Sequence, residues 1–172
     1  MPTMLPRLES MEVEVAPTLA VQLAVTCATD HAAIAATMKS SFATLGEFMA
    51  RNKLAPAGPP RAIYSNWGTT TFFILAFPIA APPPITESAR DVVIGTLAGG
   101  RALRFVHRGP YDTIRTTYGQ IDAWLRERGA IKTDADWARY SGMWEEYLGE
   151  PGTMPDSKLS TNIYLPLGDW PQ

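Results

Sequence analysis

The sequence predicts an α+β domain made of two strand-strand-helix-strand-strand units, related by pseudo-twofold symmetry and joined in one antiparallel sheet with helices on one face. Three observations predict it. Each half of the chain carries strand-like runs on either side of one amphipathic stretch, a proline-rich connector divides the halves, and a short echo of sequence recurs in both. At 172 residues, 46% of them apolar, the chain is long enough for one domain with a real core.

MEVEV and LAVQLAV are rich in Val and partly alternating, and Pro17 lies between them, so they read as a first hairpin. From Asp30, a natural N-cap, Ile34, Met38, Phe42, Leu45 and Met49 recur at steps of three or four and mark one face of a helix. APAGPP ends it, and RAIYSNW and TTTFFILAFPI follow as two strands around Gly68. The first unit therefore covers about residues 11–80. APPPITES, in a linker over about 81–90, cannot join a central strand because each proline lacks a donor N–H.

The second unit, about 91–168, repeats the order. DVVIGTL and RALRFVH flank Gly99-Gly100, a hairpin signal. Gly109-Pro110 leads into a helix with Ile114, Tyr118, Ile121 and Leu125 on one face, closed by Gly129. WARYSGMWEEYL and KLSTNIYLPL read as the last two strands, separated by GEPGTMPDS. The echo pairs Ile63-Tyr64-Ser65 and Phe77-Pro78-Ile79 with Arg139-Tyr140-Ser141 and Leu165-Pro166-Leu167. Helices on one face of the sheet would leave the other to form a concavity between the halves.

Composition excludes several classes. A net charge of -2 from 15 basic and 17 acidic residues, without basic runs, lacks the footprint of a nucleic-acid binder, so no direct nucleic-acid partner is expected. Cys27 is the only cysteine, and His31 and His107 lie far apart, so neither a disulfide nor a metal site is expected. Gly99-Gly100 precedes a strand, not a helix, so no phosphate loop and no cofactor are indicated. The N-terminus has no leader pattern, and TLAVQLAVTC is too short to span a bilayer; the reading is a soluble, cytoplasmic protein with no membrane partner.

The stretch GMWEEYL sets two carboxylates between aromatics on a strand. Alternation puts Glu145 and Tyr147 on one face, Trp144 and Glu146 on the other. A carboxylate walled by rings suits a delocalised cation, while most strand acids are merely solvated. Tyr64, Tyr140, Tyr147 and Tyr164 fall on the expected inner strands, as ligand contacts or as core residues with satisfied hydroxyls. Trp67 and Trp144 read as rim aromatics or core fillers, Tyr111 as lining the mouth or stapling the helix entry, and His107 as a structural hydrogen-bonding residue. Cys27 reads as a small buried residue.

FVHRGPYDTI, the acid-x-Tyr strand Glu145-Glu146-Tyr147 and the ending TNIYLPL resemble the GyrI-like small-molecule-binding domains, found also as effector-binding domains of MerR-type and AraC-type multidrug-sensing regulators. PPRAIYSNW is similar to a family strand as well. The resemblance is strongest over 101–167 and implies a single domain over 1–172 with a cleft between the halves that takes flat, apolar and often cationic molecules. It implies that Glu145 and Tyr147 face the ligand; Asn162 and Tyr164 share a face of the final strand by alternation, and Asn162 stands where the family commonly has an acid.

The expected function is binding of a flat aromatic, cationic in some cases, small molecule for sensing or sequestration. The alternative implied by the resemblance is a hydrolase of strained cyclopropane-containing genotoxic compounds, with Glu145 and Tyr147 catalytic. Protein inhibition ranks last; for a protein partner, the first ten residues and the 150–157 loop are the places to look.

Overall fold

The computed structural model describes residues 7–66, 68–82, 84, 89–168 and 170; of Asn66 it describes the backbone alone. Trp67 and most of the 83–88 connector lie outside the described residues. The strands are β1 (Glu9–Val15), β2 (Thr18–Ala28), β3 (Arg61–Asn66), β4 (Thr70–Pro78), β5 (Val92–Leu97), β6 (Gly100–Arg108), β7 (Trp144–Leu148) and β8 (Ser160–Pro166). Helix α1 (His31–Arg51) follows β2, and α2 (Ile114–Glu127) follows β6. Asp30 caps α1 as expected, its carboxylate accepting from the Ala33 N–H at 2.8 Å.

All eight strands form one antiparallel sheet in the order β1-β6-β8-β7-β3-β4-β2-β5. The order is the same from either end once the halves are exchanged, so the duplicated arrangement holds. Register shows it too. Pro78 lies opposite Ala20, which lies opposite Gly95; Pro166 lies opposite Ala102, which lies opposite Val13. The Phe77-Pro78-Ile79 echo therefore marks equivalent places. The tyrosine echo does not: counted from these prolines through the β3–β4 and β7–β8 ladders, Tyr64 corresponds to Tyr147 rather than Tyr140.

Neither expected hairpin forms. β1 pairs with β6 and β2 with β5, so each half lends its first strand to the other. The two ladders share one register, Glu9 opposite Val106 through Val15 opposite Gly100, then Thr18 opposite Leu97 through Leu23 opposite Val92. Residues 9–23 and 92–106 are thus two long antiparallel strands, interrupted only at Ala16-Pro17 and Ala98-Gly99. Pro17, with no N–H to donate, sits at the interruption.

This pairing bends the whole sheet. β1 and β2 are six strand positions apart, about 29 Å in a flat sheet, yet only Ala16 and Pro17 join them, a reach of about 11 Å. The sheet must curl until its edges meet. Gly99 lies at the meeting point: a Cβ there would stand 2.3 Å from the Val15 carbonyl oxygen and 2.6 Å from the Pro17 nitrogen. Glycine is required by close backbone approach, not by a hairpin turn.

The face without helices is the inside of the curl. Ala20, Ala76 and Ala102 are fully buried there, and Trp144, Tyr164 and Trp170 fill the space. The other face carries the main core. α1 packs on β2 and β4 through Met38, Leu45 and Met49, with Ile34 and Phe42 partly buried at the margin. α2 packs on β6 through Ile114, Ile121 and Leu125. The strand expected over WARYSGMWEEYL is shorter than its pattern suggests. Asp134–Tyr140 forms 3-10 turns started by a Thr133/Asp136 capping box, and extended structure begins at Trp144. Cys27 is half-buried. Among the described residues, no helix is long and apolar enough to cross a membrane, and no group of three or more His, Cys, Asp or Glu could hold a metal.

Replacing Gly99 with alanine should destabilise the protein by about 3 kcal/mol or more, because the clash is with backbone. Gly119→Ala, on α2 where an added Cβ meets nothing within 4 Å, should be neutral or stabilise by up to about 1 kcal/mol. Urea unfolding of both variants checks the pair; equal effects would remove the crossing from the account.

Candidate functional site

Each helix covers the strands of its own half, and the central strands β3 and β7 are left as the floor of a gap between them. A cavity of about 990 Å³ occupies that gap. It lies on the helix-bearing face, not on the helix-free face where the concavity was expected. Tight curling and the packed Trp144, Tyr164 and Trp170 leave no such room on the inside.

Glu145 is the acid of this cavity. It is 2% exposed, on the floor beside Tyr64, with Tyr111 and Tyr118 on the α2 side and Met143 and Tyr140 near the 3-10 turns. The Tyr118 hydroxyl donates to Glu145 Oε1 and the Tyr147 hydroxyl to Oε2, each at 2.7 Å. Tyr147 does not line the cavity itself. It stands behind the carboxylate, edge-on to Tyr111 at 5.6 Å and to Phe42 at 6.2 Å. The pairing Ala62 opposite Glu145 explains the room: the neighbour across β3 is a methyl group.

Burial pushes the Glu145 carboxyl above its usual range, against the hydrogen bonds from Tyr147, Tyr118, Tyr111 and Tyr64 that favour its charge. Burial and then the Glu145 charge push the Tyr64, Tyr111, Tyr118 and Tyr147 phenols up. They remain protonated and act as donors. The floor is therefore a carboxylate whose negative charge is spread into phenol hydroxyls within an apolar wall.

The opposite face of β7 carries a different group. Trp144 stacks on Tyr164 at 4.6 Å, with Trp170 at 5.4 Å. Glu146 accepts from the Asn162 amide at 3.1 Å and the Tyr164 hydroxyl at 3.3 Å, and faces Arg61 Nε at 3.9 Å. Trp144, Asn162 and Tyr164, expected as ligand contacts, thus lie away from the cavity. The period of two puts them there, since Trp144 pairs with Tyr164 and Glu146 with Asn162 on one side of the sheet. Tyr140 does reach the cavity, from the end of the 3-10 turns rather than from a strand.

His107 is buried between β6 and α2. Its Nε2 meets the Pro110 carbonyl at 2.9 Å, which can only accept, so Nδ1 is left to accept from the Thr117 hydroxyl at 2.6 Å. This ties the helix entry and presents Tyr111 to the cavity mouth. Tyr118 was read as a packing residue only. Its signal was its place on the apolar face of α2, seven residues after Tyr111, which precedes the helix in a 3-10 turn.

A wall of the mouth is formed by the 3-10 turns and held by charge. Arg126 donates from Nε to Asp122 Oδ2 at 2.7 Å and from a terminal nitrogen to Asp134 Oδ1 at 2.6 Å. Trp137 Nε1 donates to Asp122 Oδ1 at 2.8 Å. Arg126, then Trp137, hold the Asp122 carboxyl below its usual range.

A family model described as a GyrI-like small molecule binding domain matches residues 9–167. No curated protein sequence matches. The crystal structure of the EcmrR C-terminal domain superposes with a TM-score of 0.69 at 14% identity, covering 92% of this chain and 96% of that one. In the EcmrR–DNA complex the TM-score is 0.70 at 14% identity, and this chain, 92% covered, spans only 57% of the EcmrR chain. SAV2435 bound to tetraphenylphosphonium gives 0.61 at 13%, covering 92% and 93% of the two chains. A hydrolase from Listeria innocua gives 0.55 at 11%, covering 92% and 91%. At these identities the likeness is one of fold.

The raised Glu145 value has a sign for stability. The stability it contributes is present below the unfolded-state value and lost as pH rises through the folded-state value, where the buried group must ionise. Glu145→Gln should remove that loss. Relative to wild type, the variant should gain stability in urea unfolding as pH rises above the ordinary carboxylate range; a constant or shrinking difference would contradict a raised value.

Proposed function

Because this chain belongs to the GyrI-like small-molecule-binding domains, its residues 9–167 matching that family's model, we propose that its ligand is a flat aromatic cation held in the cleft between α1 and α2. The observation that carries this reading is Glu145, a buried carboxylate at the floor of a large cavity, ringed by tyrosines. A delocalised cation is weakly hydrated, so it enters an apolar cleft at lower cost than a compact ion. Once there it meets ring faces and a counter-charge. Tyr64 and Tyr111 offer the rings nearest the acid, and Trp67 remains a proposed rim residue. The SAV2435 structure with tetraphenylphosphonium supports the reading by analogy of fold. The role proposed is drug sensing or sequestration.

A second reading, hydrolysis of a strained cyclopropane compound, is favoured by one observation: Glu145 lies buried at the cavity floor, and burial pushes its carboxyl above the ordinary range, which makes its carboxylate a stronger base than a solvated one. Glu145 would take a proton from water as the oxygen attacks the ring carbon. The breaking C–C bond would send its electron pair to a conjugated substrate oxygen. Tyr147, behind the acid, would hold the carboxylate in place by its 2.7 Å hydrogen bond. The Listeria innocua hydrolase shares the fold.

Titration calorimetry with tetraphenylphosphonium tests the first reading. Glu145→Gln should weaken binding about tenfold or more, whereas Glu146→Gln, on the far face, should change it by less than about twofold. Binding should also weaken as pH falls through the raised Glu145 value, because protonation removes the counter-charge. Equal effects of the two variants would overturn the assignment. Incubation with a cyclopropane-bearing alkylator, followed by mass spectrometry, tests the second: a hydrated product lost in Glu145→Gln supports hydrolysis, and unchanged compound removes it.

A further inference from the structure

The cleft holds more charge than its floor. Arg115 lines the same cavity from α2, three residues or about 4.5 Å of helix rise before Tyr118. It is exposed, and among the described residues it makes no ion pair and no side-chain hydrogen bond. The acids of the mouth do not answer it. Asp122 and Asp134 are both engaged by Arg126, and Asp122 also accepts from Trp137. Across the mouth, the start of α1 adds the exposed His31, and Thr29 beside it has a buried hydroxyl with no hydrogen-bond partner.

Among the described residues, the charged side chains of the cavity wall that make no ion pair are therefore the Glu145 carboxylate at the floor and the Arg115 guanidinium at the mouth. A simple cation would use the first and be repelled by the second. Resting on the reading of the cleft given above, we propose that its ligand is amphoteric: a flat aromatic molecule whose basic group meets Glu145 and whose carboxylate is received at the mouth by Arg115. Guanidinium suits this task because its planar fork matches a carboxylate with two parallel hydrogen bonds. The free Thr29 hydroxyl and the His31 ring supply further partners for the same polar end. Arg115 thus selects among aromatic cations rather than anchoring them.

Rhodamine B, which carries a free carboxylate beside its cationic ring system, and its ethyl ester, in which an uncharged ester replaces that carboxylate, are suitable probes. Fluorescence titration of the full chain should give about fivefold tighter binding of the acid than of the ester, the scale of one partly exposed ion pair. In Arg115→Gln the ratio should fall to about one, and Arg115→Lys should recover part of it. Arg115 is exposed, so unchanged circular dichroism should accompany both variants. If wild type prefers the ester, or if the preference for the acid survives Arg115→Gln, the amphoteric ligand is overturned while the aromatic-cation reading stands. If neither dye nor tetraphenylphosphonium binds, the reading of the cleft itself fails, and this one with it.

Discussion

The crossing of two long strands at Gly99 is the constraint on which the rest depends. Residues 9–23 and 92–106 run antiparallel in a single register through both edges of the sheet, with two unpaired residues on each side at the middle. The chain cannot satisfy both ladders unless the sheet curls, because two residues cannot cross its flat width. Curling makes one face too tight for helices and too tight for a ligand. Small residues, Ala20, Ala76 and Ala102, occupy that inside, and stacked aromatics close it. Both helices must then pack outside, each on its own half, and the seam between the halves is left bare.

That seam is where β3 and β7 meet, and β7 serves both faces at once. Its alternation turns Glu145 and Tyr147 to the helix-bearing face, where Glu145 reaches the cleft and Tyr147 stands behind it, and turns Trp144 and Glu146 inward. The two adjacent acids therefore experience different surroundings. Glu146 is paired with Arg61 and accepts from Asn162 and Tyr164, so its charge is balanced by the fold itself. Among the described residues, Glu145 makes no ion pair. Phenol hydroxyls offset part of the cost of burying it, and the remainder is a reserve of negative potential that a ligand can use. The outer arrangement is less rigid in origin, since the mouth is held by the Arg126 ion pairs and by hydrogen bonds of the 3-10 turns rather than by sheet ladders.

Much of this was legible in the chain. The apolar spacing of α1 and α2, the Asp30 cap and the strand runs of Val, Thr and aromatics are local effects, and local chemistry decided them. So was the placement of Glu145 with Tyr147, because a side-chain period of two is a property of any strand. The tyrosine echo misled for an instructive reason. Tyr140 matched Tyr64 in its neighbours, but the capping box at Thr133 diverts residues 134–140 into 3-10 turns, and sheet register makes Tyr147 the equivalent residue.

The sequence by itself determined the elements, their duplicated order and the pairing of acid with tyrosine on one strand face, since these follow from periodicity, capping and turn chemistry within a few residues. Only the tertiary structure decided which strands neighbour which. A glycine pair between two strand runs is locally a hairpin, yet here it is the point where distant backbones touch at Gly99. It likewise decided that the cleft opens between the helices, that Tyr118 joins the acid while Tyr164 and Asn162 turn away, and that Arg115 is left without a partner. Those outcomes depend on how the halves close over one another, and closure is set by contacts some 80 residues apart, such as Gly99 with Val15, that no local pattern records.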